Sequence, residues 1–96
     1  MEHLLEQRAM VAKILDFFQR KNYVWPDGQD AATFCVSEAV ELLDCFLRDK
    51  TYVRNHEKPA DGRGKEAAQT LMMLLVTCDI AGIDLAYEFD KLMAEV

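Results

Sequence analysis

Residues 30–48 read DAATFCVSEAVELLDCFLR, and the register of their apolar side chains decides the fold. Apolar residues recur three and four positions apart, the spacing of one helix face, without the strict alternation that a half-buried strand requires. Set Glu38 at zero on a wheel advancing 100° per residue. Phe34 and Cys45 then fall within about 40° on one side, and Leu42 and Cys35 within about 60° on the other. Glu38 stands in the middle of an apolar arc, Glu41 borders it one turn on, and Ser37, Asp44 and Arg48 form the polar sector. An ionised carboxylate in such an arc costs several kcal/mol unless it is paired or bound to a cation.

The rest of the chain is also helical in pattern. Residues 3–21 place Leu4, Val11, Ile14, Leu15 and Phe18 at helical spacing, and the turn Trp25-Pro26-Asp27-Gly28 ends that unit. Asp27 or Asp30 is the expected N-cap of the 30–48 helix. Residues 49–63, with Pro59 and Gly62, read as a connector. Residues 64–80 predict a third helix, whose centre Leu71-Met72-Met73-Leu74-Leu75-Val76 is apolar all round and is expected to be buried on most sides. Gly82 reads as its stop and Asp84 as the N-cap of a short helix over 84–95. The expected fold is all-α, a four-helix bundle-type subunit forming a single domain over 1–96.

Composition narrows the class. With 96 residues, 51% apolar and 29% charged, the chain is one small globular domain. A net charge of −6 argues against binding a nucleic-acid backbone. No apolar run approaches the roughly 18 residues of a membrane span. The opening Met1-Glu2-His3-Leu4-Leu5-Glu6 lacks the basic start of a signal peptide, and the odd number of cysteines (Cys35, Cys45 and Cys78) reads as reduced core residues, so a cytoplasmic location is expected. A chain this short buries only about 60 to 65% of its unfolded surface, which makes association into a homodimer or homotetramer the expectation. Residues 48–65 hold six basic side chains (Arg48, Lys50, Arg54, Lys58, Arg63, Lys65) against Asp49, Glu57 and Asp61, a balance of +3 that leaves −9 for the remainder. A basic connector between acidic helices is suited to an anionic ligand.

The third helix repeats the feature of the second. Glu66 has Thr70, Met73 and Thr77 around it and Gln69 one turn along. Two helices that each offer an acidic residue and an oxygen donor at i, i+3 can converge on one hard cation, as bundle metal sites do. All-oxygen ligation selects Mg²⁺, Mn²⁺ or Ca²⁺ over zinc.

Ser37-Glu38-Ala39-Val40-Glu41-Leu42, then residues 42–65, then Glu66-Ala67-Ala68-Gln69 running into Thr70-Leu71-Met72-Met73-Leu74-Leu75, resembles the MazG-like all-α nucleoside triphosphate pyrophosphohydrolases. Their signature is Glu-Glu-x-x-Glu, a spacer of about this length, and Glu-x-x-Asp leading into an apolar helix. Ile80-Ala81-Gly82-Ile83-Asp84-Leu85 looks like the helix-turn-helix that follows. Two positions depart: Ser37 stands where the first Glu usually is, and Gln69 where the Asp usually is.

The resemblance implies Mg²⁺, with Mn²⁺ as a substitute, held by Glu38, Glu41, Glu66 and Gln69, and hydrolysis of a (deoxy)nucleoside triphosphate to monophosphate and pyrophosphate. Glu38 and Glu41 would carry the catalytic role, Glu41 sharing ligand and base. Lys65, Arg63, Lys50 and Arg54 are the expected phosphate contacts, and Trp25 and Phe34 the expected base contacts. Alternatives are a phosphoribosyl-ATP-, dUTP- or dCTP-specific relative, or a helical interaction module that lost activity through Ser37 and Gln69.

Overall fold

The computed structural model describes residues 2–50 and 62–95, with side chains over 6–47 and 62–95. The described residues form four helices, α1 (Glu2–Arg20), α2 (Gly28–Lys50), α3 (Arg63–Ala81) and α4 (Leu85–Met93), with no strand among them. The protein is all-α, as the spacing predicts. The expected connector narrows, because α2 continues to Lys50 and α3 begins at Arg63; residues 51–61 lie outside the described residues. Among the described residues, no single helix is long and apolar enough to cross a membrane.

Local chemistry sets the helix ends. Asp27, not Asp30, caps α2: the Asp30 backbone N–H donates to Asp27 Oδ1 at 2.8 Å. Asp30 is the acid of the first turn, where it meets the positive end of the helix dipole. Two helices end in the same six-residue motif, in which the C′ residue is left-handed and two backbone N–H groups fold back. After α3, Gly82 has φ 69°, its N–H donates to Asp79 O at 3.3 Å, and Ile83 N–H donates to Cys78 O at 2.8 Å. After α1, Asn22 has φ 57°, its N–H donates to Gln19 O at 3.2 Å, and Tyr23 N–H donates to Phe18 O at 2.8 Å.

Helices α2 and α3 run antiparallel, and four pairs fix their register. The Arg63 guanidinium lies 4.7 Å over the Phe46 ring. Glu66 lies beside Glu38 and Glu41. Cys35 Sγ donates to Thr70 O at 3.7 Å, and a Cβ on Gly28 would meet Ile80 Cγ2 at 3.5 Å. The inner seam of α2 is Ala31, Cys35, Glu38, Leu42 and Cys45, spaced by four, three, four and three, each wholly or partly buried. Helix α3 also packs against α1, so it has two partners. The core joins Ile14 and Phe18 of α1, Ala31 of α2 and Met73, Leu75 and Val76 of α3. Burial of α3 is less complete than its sequence predicts, since Leu71, Leu74 and Ile80 are exposed. Cys45 and Cys78 are buried and Cys35 partly so, all three as free thiols.

At Gly82 the chain bends by 101° from α3 into α4, and Asp84 caps α4 by accepting from Tyr87 N–H at 3.1 Å. Gln7 of α1, only 8% exposed, locks this corner. Its Nε2 donates to Ile83 O at 2.8 Å and its Oε1 accepts from Leu85 N–H at 2.9 Å. Both halves of one carboxamide are used, and one of them satisfies a helix-start donor that has no partner within its own helix. Gln7→Ala is expected to cost about 1 kcal/mol, because it leaves the partly buried Leu85 N–H and the Ile83 carbonyl without this partner. Urea unfolding followed by circular dichroism measures this directly.

Candidate metal centre

The α2–α3 register brings the anomalous carboxylates together. Oxygens of Glu38, Glu41 and Glu66 all lie within 4.8 Å of one another. Glu66 is 6% exposed, Glu38 is partly buried, and Glu41 is open to solvent. Three acids this close disfavour full ionisation. The Glu38 carboxyl is pushed above the ordinary glutamate range, first by burial, then by its hydrogen bond to Glu41 and by the charges of Glu41 and Glu66.

Gln69 sits between two of the acids. Its amide nitrogen donates to Glu38 Oε2 at 3.1 Å and to Glu66 Oε2 at 2.9 Å, the orientation that its hydrogen-bond partners require. The remaining polar groups of this seam are satisfied within α3. Thr70 Oγ1 donates to Glu66 O at 2.8 Å, and Thr77 Oγ1 to Met73 O at 2.7 Å.

The donor set fits a hard divalent cation. Oxygens at about 2.1 Å from Mg²⁺ in an octahedron stand about 3 Å apart when adjacent and about 4 Å when opposite. Groups within 4.8 Å of one another reach that spacing by small side-chain rotations. Nitrogen and sulfur donors are absent from the group, which disfavours zinc.

A cavity of about 510 Å³ opens beside the carboxylates. Glu38 and Gln69 form one wall, Met72 and Met73 line it from α3, and Phe34 from α2. Phe17, Phe18, Asn22, Tyr23, Val24 and Pro26 complete it from the end of α1 and the following turn. The aromatic rings there are braced edge to face: Phe17–Phe18 at 6.4 Å, Phe17–Tyr23 at 6.2 Å and Phe18–Tyr23 at 5.6 Å between centroids.

Of the residues singled out from sequence, Glu38, Glu41, Glu66 and Gln69 meet at one point, and Phe34 lines the adjoining cavity. Trp25 does not. Its partly buried ring packs 5.2 Å from Phe18 against the core and is not among the residues that line this cavity. Arg63 stacks on Phe46 one turn from Glu66, and Lys65 is exposed next to Glu66. Arg54 and the side chain of Lys50 lie outside the described residues. Sequence reading missed the α1 end of the cavity. The run Arg20-Lys21-Asn22, basic residues followed by Asn, is a helix-stop signal, which marks where α1 ends and not what Asn22 faces. In comparisons with known proteins, no family model, curated protein or solved structure matches this chain.

Proposed function

We propose that the protein is a Mg²⁺-dependent nucleoside triphosphate pyrophosphohydrolase of the MazG-like kind, with α2 and α3 as the metal-bearing pair of a helical bundle. The observation that carries this reading is the convergence of Glu38, Glu41 and Glu66 within 4.8 Å beside a cavity with aromatic walls that Glu38 lines. Carboxylates at this density suit a triphosphate carried with its cation, and a volume near 510 Å³ suits a nucleoside.

Each group then has a task. Glu38, Glu41 and Glu66 would hold the ion, and Gln69 would turn its carbonyl oxygen toward it. A bound Mg²⁺ supplies charge neutralisation along the triphosphate and activation of water near neutral pH. Glu41, the solvent-facing member of the three, would accept the proton of the water that attacks the α–β phosphoanhydride, whose P–O bond breaks as pyrophosphate leaves. Lys65 and Arg63 draw in the outer phosphates. Phe34 and the braced Phe17–Tyr23 pair flank the base.

The test is to incubate the protein with the eight standard (deoxy)nucleoside triphosphates and Mg²⁺ or Mn²⁺. Release of pyrophosphate and monophosphate from at least one is expected. A second reading, a lapsed helical interaction module, is favoured by one observation. Gln69 already satisfies Glu38 and Glu66 through its amide nitrogen, so the pair is held without an ion. No pyrophosphate from any triphosphate, together with no thermal shift on adding Mg²⁺, would establish that module instead.

We also propose a homodimer or homotetramer. Val36, Val40, Leu43 and Leu47 are 44–63% exposed and form one stripe on α2, about 140 to 200° around the helix from Glu38. An apolar stripe of this length on a small chain is suited to a second subunit. The double variant Val40→Arg/Leu43→Arg is expected to leave the carboxylates in place and to shift the light-scattering mass to the 11.0 kDa of one chain.

A further inference from the structure

We propose that Asn22 reads the base of the bound nucleotide and favours bases whose edge offers one donor beside one acceptor with no further amine, which disfavours guanine. This inference rests on the pyrophosphohydrolase reading and adds the residue that sets its specificity.

Helix order gives the cavity two chemically distinct ends. Glu38 and Gln69 stand on the side of the carboxylates, and Phe34, one turn nearer the start of α2 at Gly28, leads from Glu38 toward the turn that carries Asn22; a triphosphate chain and its cation belong on the carboxylate side. The rest of the lining is aromatic or aliphatic except for Asn22 and the hydroxyl of Tyr23. A nucleotide with its phosphates at Glu38 therefore extends its base toward the α1 terminus. Rings accept any base by stacking and discriminate little among them. Selection needs a hydrogen-bonding group, and a carboxamide brings a donor and an acceptor side by side.

The two helix-end motifs sharpen the assignment. Both place one residue in the left-handed region, at φ 69° for Gly82 and φ 57° for Asn22. Glycine adopts that conformation without steric cost, and every other residue is penalised. A Cβ on Gly82 would meet nothing within 4 Å, so space does not dictate glycine there; backbone conformation does. At the cavity the same backbone position carries a carboxamide instead. Asn is the side chain that tolerates this conformation and also brings a hydrogen-bonding edge to the ligand.

The pairing rule follows from the donors and acceptors. Adenine, cytosine, thymine and uracil each expose adjacent donor and acceptor atoms, which match a carboxamide; the pyrimidines leave over only a carbonyl oxygen, which tolerates lacking a partner better than an N–H does. Guanine can offer O6 beside N1–H in the same way, but its N2 amine is then an extra donor that the apolar side chains of the lining cannot pair. Its adjacent donors N1–H and N2–H₂ match a carboxylate instead. Asn22→Gly keeps the helix stop and removes the reader. Asn22→Asp keeps the size and replaces the donor by a second acceptor.

The experiment compares the wild type, Asn22→Gly, Asn22→Asp and Tyr23→Phe. It measures kcat/KM for the eight triphosphates with Mg²⁺ and, independently, the thermal shift given by the nucleoside monophosphates without metal. The wild type is expected to disfavour guanine by roughly tenfold or more. Asn22→Gly is expected to flatten that preference with undiminished melting temperature, Asn22→Asp to shift it toward guanine, and Tyr23→Phe to keep the wild-type order. If the wild type acts on triphosphates but the Asn22 variants rank them as it does, the assignment of Asn22 is wrong and the enzyme reading stands. If no triphosphate binds or reacts, the enzyme reading fails and this inference fails with it.

Discussion

Glu38→Gln is expected to abolish pyrophosphohydrolysis and the Mg²⁺-induced thermal shift while making the metal-free protein more stable. The two effects share one cause. In the metal-free chain Glu38 is partly buried against Glu41 and Glu66, and its carboxyl is raised above the ordinary 4.5 by burial first and by those neighbours next. A neutral amide in its place removes a like-charge contact and gives both remaining carboxylates a donor. Such exchanges contribute about 1–2 kcal/mol. With a cation present, the same substitution would remove one of the three proposed charged ligands, and a loss of about 100-fold or more in activity is expected.

The pH dependence carries the same signature. A carboxyl with a raised folded-state pKa binds its proton more tightly when folded than when unfolded. The metal-free wild type is therefore least stable, as far as Glu38 is concerned, above the raised value. It gains stability as pH falls from that value toward 4.5. Glu38→Gln lacks this gain. Melting curves from neutral pH to about pH 4, with and without Mg²⁺, test both statements. A variant that is destabilised at every pH would show that Glu38 supports the helix pair and does not strain it.

What the sequence revealed and what it hid divide along the range of the interactions involved. Gly82 and Asp84 were legible because a helix stop and an N-cap are encoded within a few residues. Glu38 was legible because a wheel places each side chain relative to its own helix. Glu66 followed by the same logic, and the register that brings the two together within 4.8 Å arises from seam packing between α2 and α3. Gln7 was invisible, since its partners Ile83 and Leu85 are 76 and 78 positions away, and nothing local marks a polar residue as a tertiary clamp. Trp25 and Phe34 show a further limit. Both read alike from sequence, yet Phe34 lines the cavity and Trp25 packs against Phe18 and the core, a division made by the neighbouring elements. The exposed Leu71 and Leu74 show that an all-round apolar pattern does not say which faces of the helix its neighbours cover.

Gln69→Asp separates the enzyme from the lapsed module most sharply. In the metal-free chain Gln69 donates one N–H bond to Glu38 Oε2 and one to Glu66 Oε2, so the amide acts as the internal counterpart of two acids. Aspartate has no such donor and adds a fourth negative charge. The metal-free variant is expected to lose about 2 kcal/mol, the cost of two lost charge-assisted bonds and a new repulsion, offset in part by protonation. With Mg²⁺ the sign reverses. An amide must rotate and give up both bonds before its oxygen faces the ion, whereas a carboxylate presents oxygen in every orientation and contributes charge. Mg²⁺ affinity by calorimetry is expected to rise about tenfold or more, and the Mg²⁺-induced thermal shift to exceed that of the wild type. A working enzyme gains turnover at low Mg²⁺ from this change. If Gln69→Asp is destabilised and Mg²⁺ restores nothing, the three carboxylates do not form a cation site, and Gln69 is the lock that holds a helix pair together.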